Sequence, residues 1–453
     1  MATGTLIENG NVIDGTGAPA RTESVLLEGE MITATGAQAD TAAEGRNDIT
    51  RIDAAGMTVM PGLIDAHCHI TFDEPTSNDE LFNHRDREGL AAIIAAANAR
   101  KLLLAGVTGI FDADSIFLTG IDLRDAIEAG VVEGPRMATG GNALVTSVGG
   151  TAGGMIPDEG RRGYAMAVRG KDEIVAEVRR EIKAGADWIK VHVTGLVPRR
   201  RHLGEIRVWS DEELDTVCKA AHDLGVPVVG HCRGAESTAA TAKAGFDMIL
   251  HATLMDEYAL EEVVKANVPL VPTFTFQANL ADWGDKVGSD SGLQDVFRRE
   301  IADSAKTLRA AYDAGVPLLC GSESGFALTP YGEWHYREME IFINDFGLTP
   351  LQAIQCGTQA GGIALGLDGK VGVIGEGMLA DVIVVDGDPE ADIKVLGDKS
   401  KMRHVFTGGR PVDLTIQPAP RKPITGWRVS SFANSILTQD IAHGTSGPNG
   451  DAG

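Results

Sequence analysis

One pattern constrains this chain more than any other. Through its middle, a helical stretch, a small turn pair and a short run rich in β-branched residues recur in that order. The turn pairs Ala105-Gly106, Ala129-Gly130, Ala184-Gly185, Leu224-Gly225, Ala244-Gly245, Ala266-Asn267 and Ala314-Gly315 lead into VTGIF, PRMATGG, DWIKVHV, VPVVGH, FDMILH, VPLVPTF and VPLLCGS. That alternation predicts parallel βα units. With the run TVMPGLIDAHCHI before the first of them, the strands reach the number that closes a (β/α)8 TIM barrel. The expected fold class is therefore α/β, with the barrel over residues 59–369.

The ends have a different texture. Residues 1–58 alternate apolar and polar positions around Asn-Gly, Asp-Gly and Glu-Gly-Glu turns, and residues 370–415, with LADVIVVDGDP and RHVFTGGRPV, read alike. Such stretches predict short antiparallel strands that pair into one composite β-sandwich domain. The extension over 416–453, rich in Pro, Gly and Ser, has no periodicity. It is expected to be an extended arm across a neighbouring surface, or disordered.

Composition excludes several function classes. At 453 residues with 43% hydrophobic and 23% charged content, the chain can bury a large core. Its 40 basic against 64 acidic residues give a net charge of −24, which repels a phosphate backbone and an anionic membrane, so neither nucleic acid nor membrane is an expected partner. The first residues lack a charged start and apolar stretch, and no apolar run approaches the roughly 18 residues of a membrane span. A cytoplasmic location is expected. Cys68, Cys218, Cys232, Cys320 and Cys356 are scattered, with no CxxC pair, and read as reduced thiols. Cys68 and Cys232 adjoin candidate ligands, but strand neighbours point to opposite faces, which favours packing.

The chemistry concentrates at strand ends. In Asp65-Ala66-His67-Cys68-His69, residues two apart share a strand face, so both imidazoles enter one barrel mouth. His231 in VVGHCRG and His251 in MILHATL fall at the matching place on the fifth and sixth strands. A lone strand-end histidine is usually a hydrogen-bonded core residue. Four at the active-site end of three strands point to metal binding. Lys190, inside the apolar DWIKVHV, would be costly as an unpaired ammonium, and burial favours its neutral amine. A neutral amine can take up carbon dioxide as a carbamate that bridges two metal ions; the alternative is a barrel ion pair with a carboxylate.

These segments, MPGLIDAHCHI, IKVHVTG, the two later histidines and the closing Gly321-Ser322-Glu323-Ser324, resemble the amidohydrolase superfamily, in particular its imidazolonepropionase-like and prolidase-like branch. The resemblance runs from VIDGTG through LADVIVVDGDP. It implies a site of two divalent ions, zinc or else manganese or cobalt. His67 and His69 would take the first ion, His231 and His251 the second, and a carboxylated Lys190 would bridge them. Relatives read Gly-Thr-Asp on the eighth strand, where this chain has Glu323, about 1.5 Å longer by one methylene. Glu323 is expected as a ligand or proton shuttle, or failing that as a group acting through water.

The resemblance also implies hydrolysis of a C–N bond, and homo-oligomers are common among its members. Peptide-cleaving relatives often carry Gly-Gly-His after the third strand, whereas Gly149-Gly150 here precede Thr151. The change points to a neutral small molecule, with phenylurea and thiocarbamate hydrolases of the superfamily sharing that preference. His192, two beyond Lys190, faces the same interior. Tyr331, Trp334 and His335 crowd the loop after strand eight, either as pocket walls with Thr151 or as packing aromatics of a helix start. The competing enzyme reading is an Xaa-Pro or other dipeptidase, or a hydrolase of N-acyl amino acids or cyclic amides, anchoring a carboxylate on Arg199, Arg200, Arg201 or Arg233. A metal-free binding protein on the same barrel is the other alternative, and the complete set of four histidines and a lysine argues against it.

Overall fold

The computed structural model describes residues 4–77, 81, 87–150, 156–157, 163–195, 205–418 and 435–444. All seven turn pairs end on a residue with left-handed backbone: Gly106, Gly130, Gly185, Gly225, Gly245, Asn267 and Gly315 have φ between 48° and 104°. Glycine and asparagine take that conformation at little cost, so each pair closes a helix and releases the chain into the next strand.

Seven strands follow one another around the centre: Leu63–Cys68, Val107–Asp112, Arg136–Thr139, Ile189–His192, Val228–Arg233, Met248–Thr253 and Leu270–Val271. The eighth segment, from Val316, meets the seventh through a parallel bridge between Leu270 and Leu318 and the bond Leu319 N to Leu270 O. The same segment returns to the first strand, where Ala66 N donates to Cys320 O and Glu323 N to His67 O, at 2.8 and 2.7 Å. The third strand breaks at Gly140-Gly141 and resumes as Leu144–Val145 beside Val191, while Trp188 N donates to Thr139 O. The parallel links thus run in a ring. Most of these strands are buried along their whole length, as expected where helices cover the outer face.

Both chain ends meet in one eight-stranded sheet. Val382–Val385 lies antiparallel to Thr58–Pro61, with Val384 opposite Val59. The pairing is not antiparallel throughout: Gly4–Val12 runs parallel to Ile49–Asp53 and to Thr58–Val59, because the helix Gly36–Ala43 carries the chain back across the sheet. One face holds Ile7, Val25, Val59, Val382 and Phe406, and the other packs Leu6, Leu26 and Ile49 on that helix. The alternation Leu6/Ile7 and Val25/Leu26 follows from the two-residue strand repeat.

The described part of the C-terminal extension docks on its own chain. Leu437 is fully buried; its N–H donates to Ala327 O at 2.8 Å and its carbonyl accepts from Trp334 Nε1 at 3.0 Å. Among the described residues no helix is long and apolar enough to cross a membrane.

Candidate metal centre

The four histidines and Lys190 collect at the C-terminal ends of the ring strands, all five residues at most 5% exposed. Ring centroids of His67 and His69 lie 5.0 Å apart, His67 and His251 5.2 Å, and His231 and His251 4.5 Å. His231 Nδ1 and His251 Nε2 face each other at 3.0 Å. The far nitrogen of His231, Nε2, is held by Glu205 Oε2 at 2.9 Å, and Nδ1 of His67 by Thr273 Oγ1 at 3.0 Å. A metal-binding imidazole is ordinarily fixed in this way through its second nitrogen.

Glu323 joins the first pair. Donor atoms of His67, His69 and Glu323 lie within 4.8 Å of one another. The eighth strand can pass this close because residue 321 is glycine: a Cβ there would stand 2.6 Å from both His67 Cβ and Val271 Cγ1. His251, Thr273 and Glu323 all have positive φ, 69°, 59° and 55°, so the last three strand ends turn sharply as they reach the centre. Non-glycine residues hold that conformation at a cost that surrounding structure must offset, and such positions cluster at functional sites.

Asp65 is part of that surrounding structure. Its Oδ1 accepts from His67 N at 3.1 Å and from Ser322 N at 3.0 Å, and its Oδ2 meets His335 Nδ1 at 2.7 Å and the Ser322 hydroxyl. Asp65 therefore locks the strand of His67 to that of Glu323. His335 is spent on this clamp and on the N–H of Gly332, at 3.0 Å. Tyr331 Oη donates to His69 O at 2.5 Å, and the Trp334 indole N–H is taken by Leu437. The three residues are almost fully buried, with their polar ends on protein groups. Thr151 and Arg199, Arg200 and Arg201 lie outside the described residues.

Burial dominates the electrostatics. It drives His67 and His251 well below the ordinary histidine value and lowers His231, with the nearby Lys190 adding to the effect. His192 falls to about 4 for the same reasons, although Asp114 opposes. His69 goes the other way, because Asp114 outweighs its burial. Burial lowers Lys190 and pushes Glu323 up to about 7, the latter against the pull of His69, Arg233 and Lys190. Among the described residues, Lys190 has no carboxylate within ion-pair distance, so the ion-pair alternative has no partner there.

Asp114, Glu205 and Thr273 escaped sequence reading. Asp114 stands two residues past the second strand and Thr273 two past the seventh. The strand-end rule that selects the histidines reaches both positions when carboxylates and hydroxyls are counted too. Glu205 sits in a loop and has no local signal.

The donor set fits divalent cations: three of the four imidazoles have lowered proton affinity, two of these stand nitrogen to nitrogen, and a carboxylate is in reach. Comparison with known proteins decides the family. The model of the amidohydrolase family matches residues 58–412. The chain belongs to that family. This amidohydrolase is 28% identical to ochratoxinase of Aspergillus niger over 430 residues, 90% of this chain and 86% of the relative. A crystal structure of a Xaa-Pro dipeptidase superposes with a TM-score of 0.77 at 29% identity, covering 90% of this chain and all of that one. Phenylurea hydrolase B, at 20% identity and a TM-score of 0.72 over 92% and 99% of the two chains, shares the fold. The family and these likenesses carry an α/β TIM-barrel fold, hydrolysis of C–N bonds, and divalent metal binding as the general rule of the family.

Proposed function

We propose that this amidohydrolase uses two divalent ions to hydrolyse the C–N bond of a neutral amide, urea or carbamate, such as a phenylurea or thiocarbamate. The observation that carries the reading is the convergence of His67, His69 and Glu323 beside the facing pair His231 and His251. In this reading the chain is a closed (β/α)8 barrel over 59–369 with a composite domain from 1–58 and 370–415. Zinc suits the donors, and so do manganese and cobalt.

Bound ions of this kind polarise a substrate carbonyl and bring the pKa of water toward neutrality. His67, His69 and Glu323 would hold one ion, His231 and His251 the other. Lys190, buried near the histidines, would bridge the two ions as a carbamate. Glu323 would accept the proton of the attacking water and pass it to the leaving nitrogen. Glu205 and Thr273 keep the imidazoles oriented.

A neutral substrate agrees with the state of Arg233. Its guanidinium is ion-paired with Glu300 at 2.5 Å, and with the Gln277 amide turned to match its donors, Nη1 also reaches Gln277 at 2.9 Å. The second reading, a dipeptidase or N-acyl amino acid hydrolase, is favoured by the 29% likeness to a Xaa-Pro dipeptidase. Steady-state kinetics of the zinc-loaded protein on phenylureas, thiocarbamates, dipeptides and N-acyl amino acids separates the two. Turnover of only the last two classes would replace the first reading by the second.

A further inference from the structure

His69 borders a cluster of aromatic rings that the metal reading does not use. Phe72 stacks on its imidazole with ring centroids 4.2 Å apart and 6° between the planes, and Phe326 meets it edge to face at 5.7 Å and 78°. Phe326 is the hub of the cluster. It lies 5.5 Å from Phe72 and 5.6 Å from Phe276, again edge to face at 83° and 75°, and Tyr164 lies 5.9 Å from Phe72. Phe72 and Tyr164 are almost fully buried, whereas Phe276 and Phe326 are only partly so. The backbone around Phe326 is fixed on both sides: Glu74 N donates to Gly325 O at 2.8 Å, Ala327 N to Pro75 O at 3.1 Å and Thr329 N to Phe326 O at 3.0 Å. Gly325 lets this segment pass against His69, since at its φ of 131° a Cβ would stand 2.5 Å from His69 O.

Two partly open rings, held in place beside a metal-binding imidazole, make a seat for a further ring. From this arrangement we propose that Phe326, with Phe276 and Phe72, forms a subsite for an aromatic group on the leaving nitrogen of the substrate, and that Phe326 is its specificity-determining residue. Two features select the occupant. The cluster to which Phe72, Tyr164 and Phe326 belong is otherwise apolar, with Ile116, Ala143 and Val145 among its members, so a charged substituent would lose its water there without compensation. Edge-to-face and offset contacts reward a ring beyond the area it buries, whereas an aliphatic group gains the area alone. Glu323 sets the side. Phe326 is three residues beyond it on the same segment, and Glu323 is the group that hands the proton to the leaving nitrogen, so the subsite lies on the nitrogen side of the scissile bond and not on the acyl side. The proposal rests on the hydrolytic reading above and narrows it to N-aryl substrates.

The test uses the full zinc-loaded chain, as wild type, Phe326→Leu and Phe326→Ala. Calorimetry gives the Kd of two amide mimics that cannot be hydrolysed, the N-phenyl and N-cyclohexyl methanesulfonamides. Kinetics are read on acetanilide, N-cyclohexylacetamide and N-cyclohexylbenzamide, the last of which carries its ring on the acyl side. Ratios of variant to wild type cancel the intrinsic differences among the compounds. Phe326→Leu keeps the apolar bulk and should weaken the N-phenyl mimic by roughly 2- to 10-fold while the N-cyclohexyl mimic changes less. Phe326→Ala should weaken the N-phenyl mimic by at least roughly 10-fold. In kinetics the same selective loss should fall on the KM of acetanilide and spare N-cyclohexylbenzamide. Equal losses on both mimics, or a loss of kcat shared by all three substrates, would overturn the proposal, because Phe326 would then only support His69. A loss that follows the acyl-side ring would overturn it too. If Phe326→Ala fails to fold, Phe326→Leu decides. Selective binding of the N-phenyl mimic in a chain that hydrolyses none of the substrates supports the ring site and overturns only the hydrolytic reading beneath it.

Discussion

His67, Lys190, His231 and His251 stand on strands that form ladders with their neighbours, with a register shift in two of them, whereas Glu323 and the residues after it stand on a segment joined to its neighbours, among the described residues, by isolated bridges and single backbone bonds. On a paired strand, positions two apart share a face, so identity and spacing already give direction. After Cys320 that rule lapses. Glu323 sits at φ 55°, and the next turns are set by Asp65, Thr329 and Tyr331 rather than by a ladder. In the first region the side chains form the centre. In the second, most of them support it.

The contrast breaks most visibly at Lys190. Lys190→Ala and His67→Ala should each cut turnover by at least ~10³-fold, since either removes the means of holding and charging an ion. Kinetics and metal analysis check this. Added short carboxylic acids should partly restore Lys190→Ala, by supplying the two oxygens of the carbamate, and should leave His67→Ala dead. Rescue of both variants, or of neither, would deny Lys190 the bridging role.

Glu323 should give a smaller and substrate-dependent effect. Glu323→Gln keeps the size and removes the proton acceptor, so release of a basic alkylamine should slow by roughly 10²–10⁴-fold and release of an aniline by less, because the weaker base needs protonation less. Equal rates for variant and wild type on both substrates would transfer the proton to another group, with His192 the next to test. Glu323→Asp should keep part of the activity if the carboxylate itself matters.

How far sequence could be read follows the same division. Each of the seven turn pairs has a left-handed residue, a local requirement written in glycine and asparagine, and the strand-end histidines meet because the ring brings like positions together. Tyr331, Trp334 and His335 show the limit. As a string they fit a pocket wall and a helix start equally well, and the difference lies in partners from elsewhere in the chain: His69 O, Leu437 O and Asp65. The parallel pairing of Gly4–Val12 was hidden likewise, because the helix that reverses the path carries a weak amphipathic signal.

Trp334 turns that limit into an experiment. It is 1% exposed and stacks on Trp283 at 5.0 Å, beside Leu437. Trp334→Ala should cost ~3–5 kcal/mol of stability through the cavity it leaves. KM should change little, since the ring faces the docked C-terminal segment. Urea unfolding and kinetics read the two effects separately, and a raised KM with unaltered stability would restore Trp334 to a substrate wall.

The last effect lies beneath the centre and is read through pH. Glu338, fully buried, receives Phe274 N at 2.9 Å, Thr275 N at 2.9 Å and Thr275 Oγ1 at 2.8 Å, and so fastens the chain just after Thr273, the residue that holds His67. Burial pushes its carboxyl up to about 8 in spite of those donors, whereas the ordinary value is 4.5. Between these values the folded chain keeps a proton that the unfolded chain gives up. The stabilisation from Glu338 is therefore complete below pH 4.5 and is lost as pH rises through 8, at no more than about 1.4 kcal/mol per pH unit. Glu338→Gln has nothing to titrate. It should be less stable than wild type at pH 5, where the protonated carboxyl is well accommodated, and the gap should narrow by pH 8.5. Urea midpoints of both proteins at the two pH values give the difference, from which every other titrating group cancels. A gap of constant size would mean that Glu338 is ionised in the folded chain throughout this range, its three donors outweighing its burial.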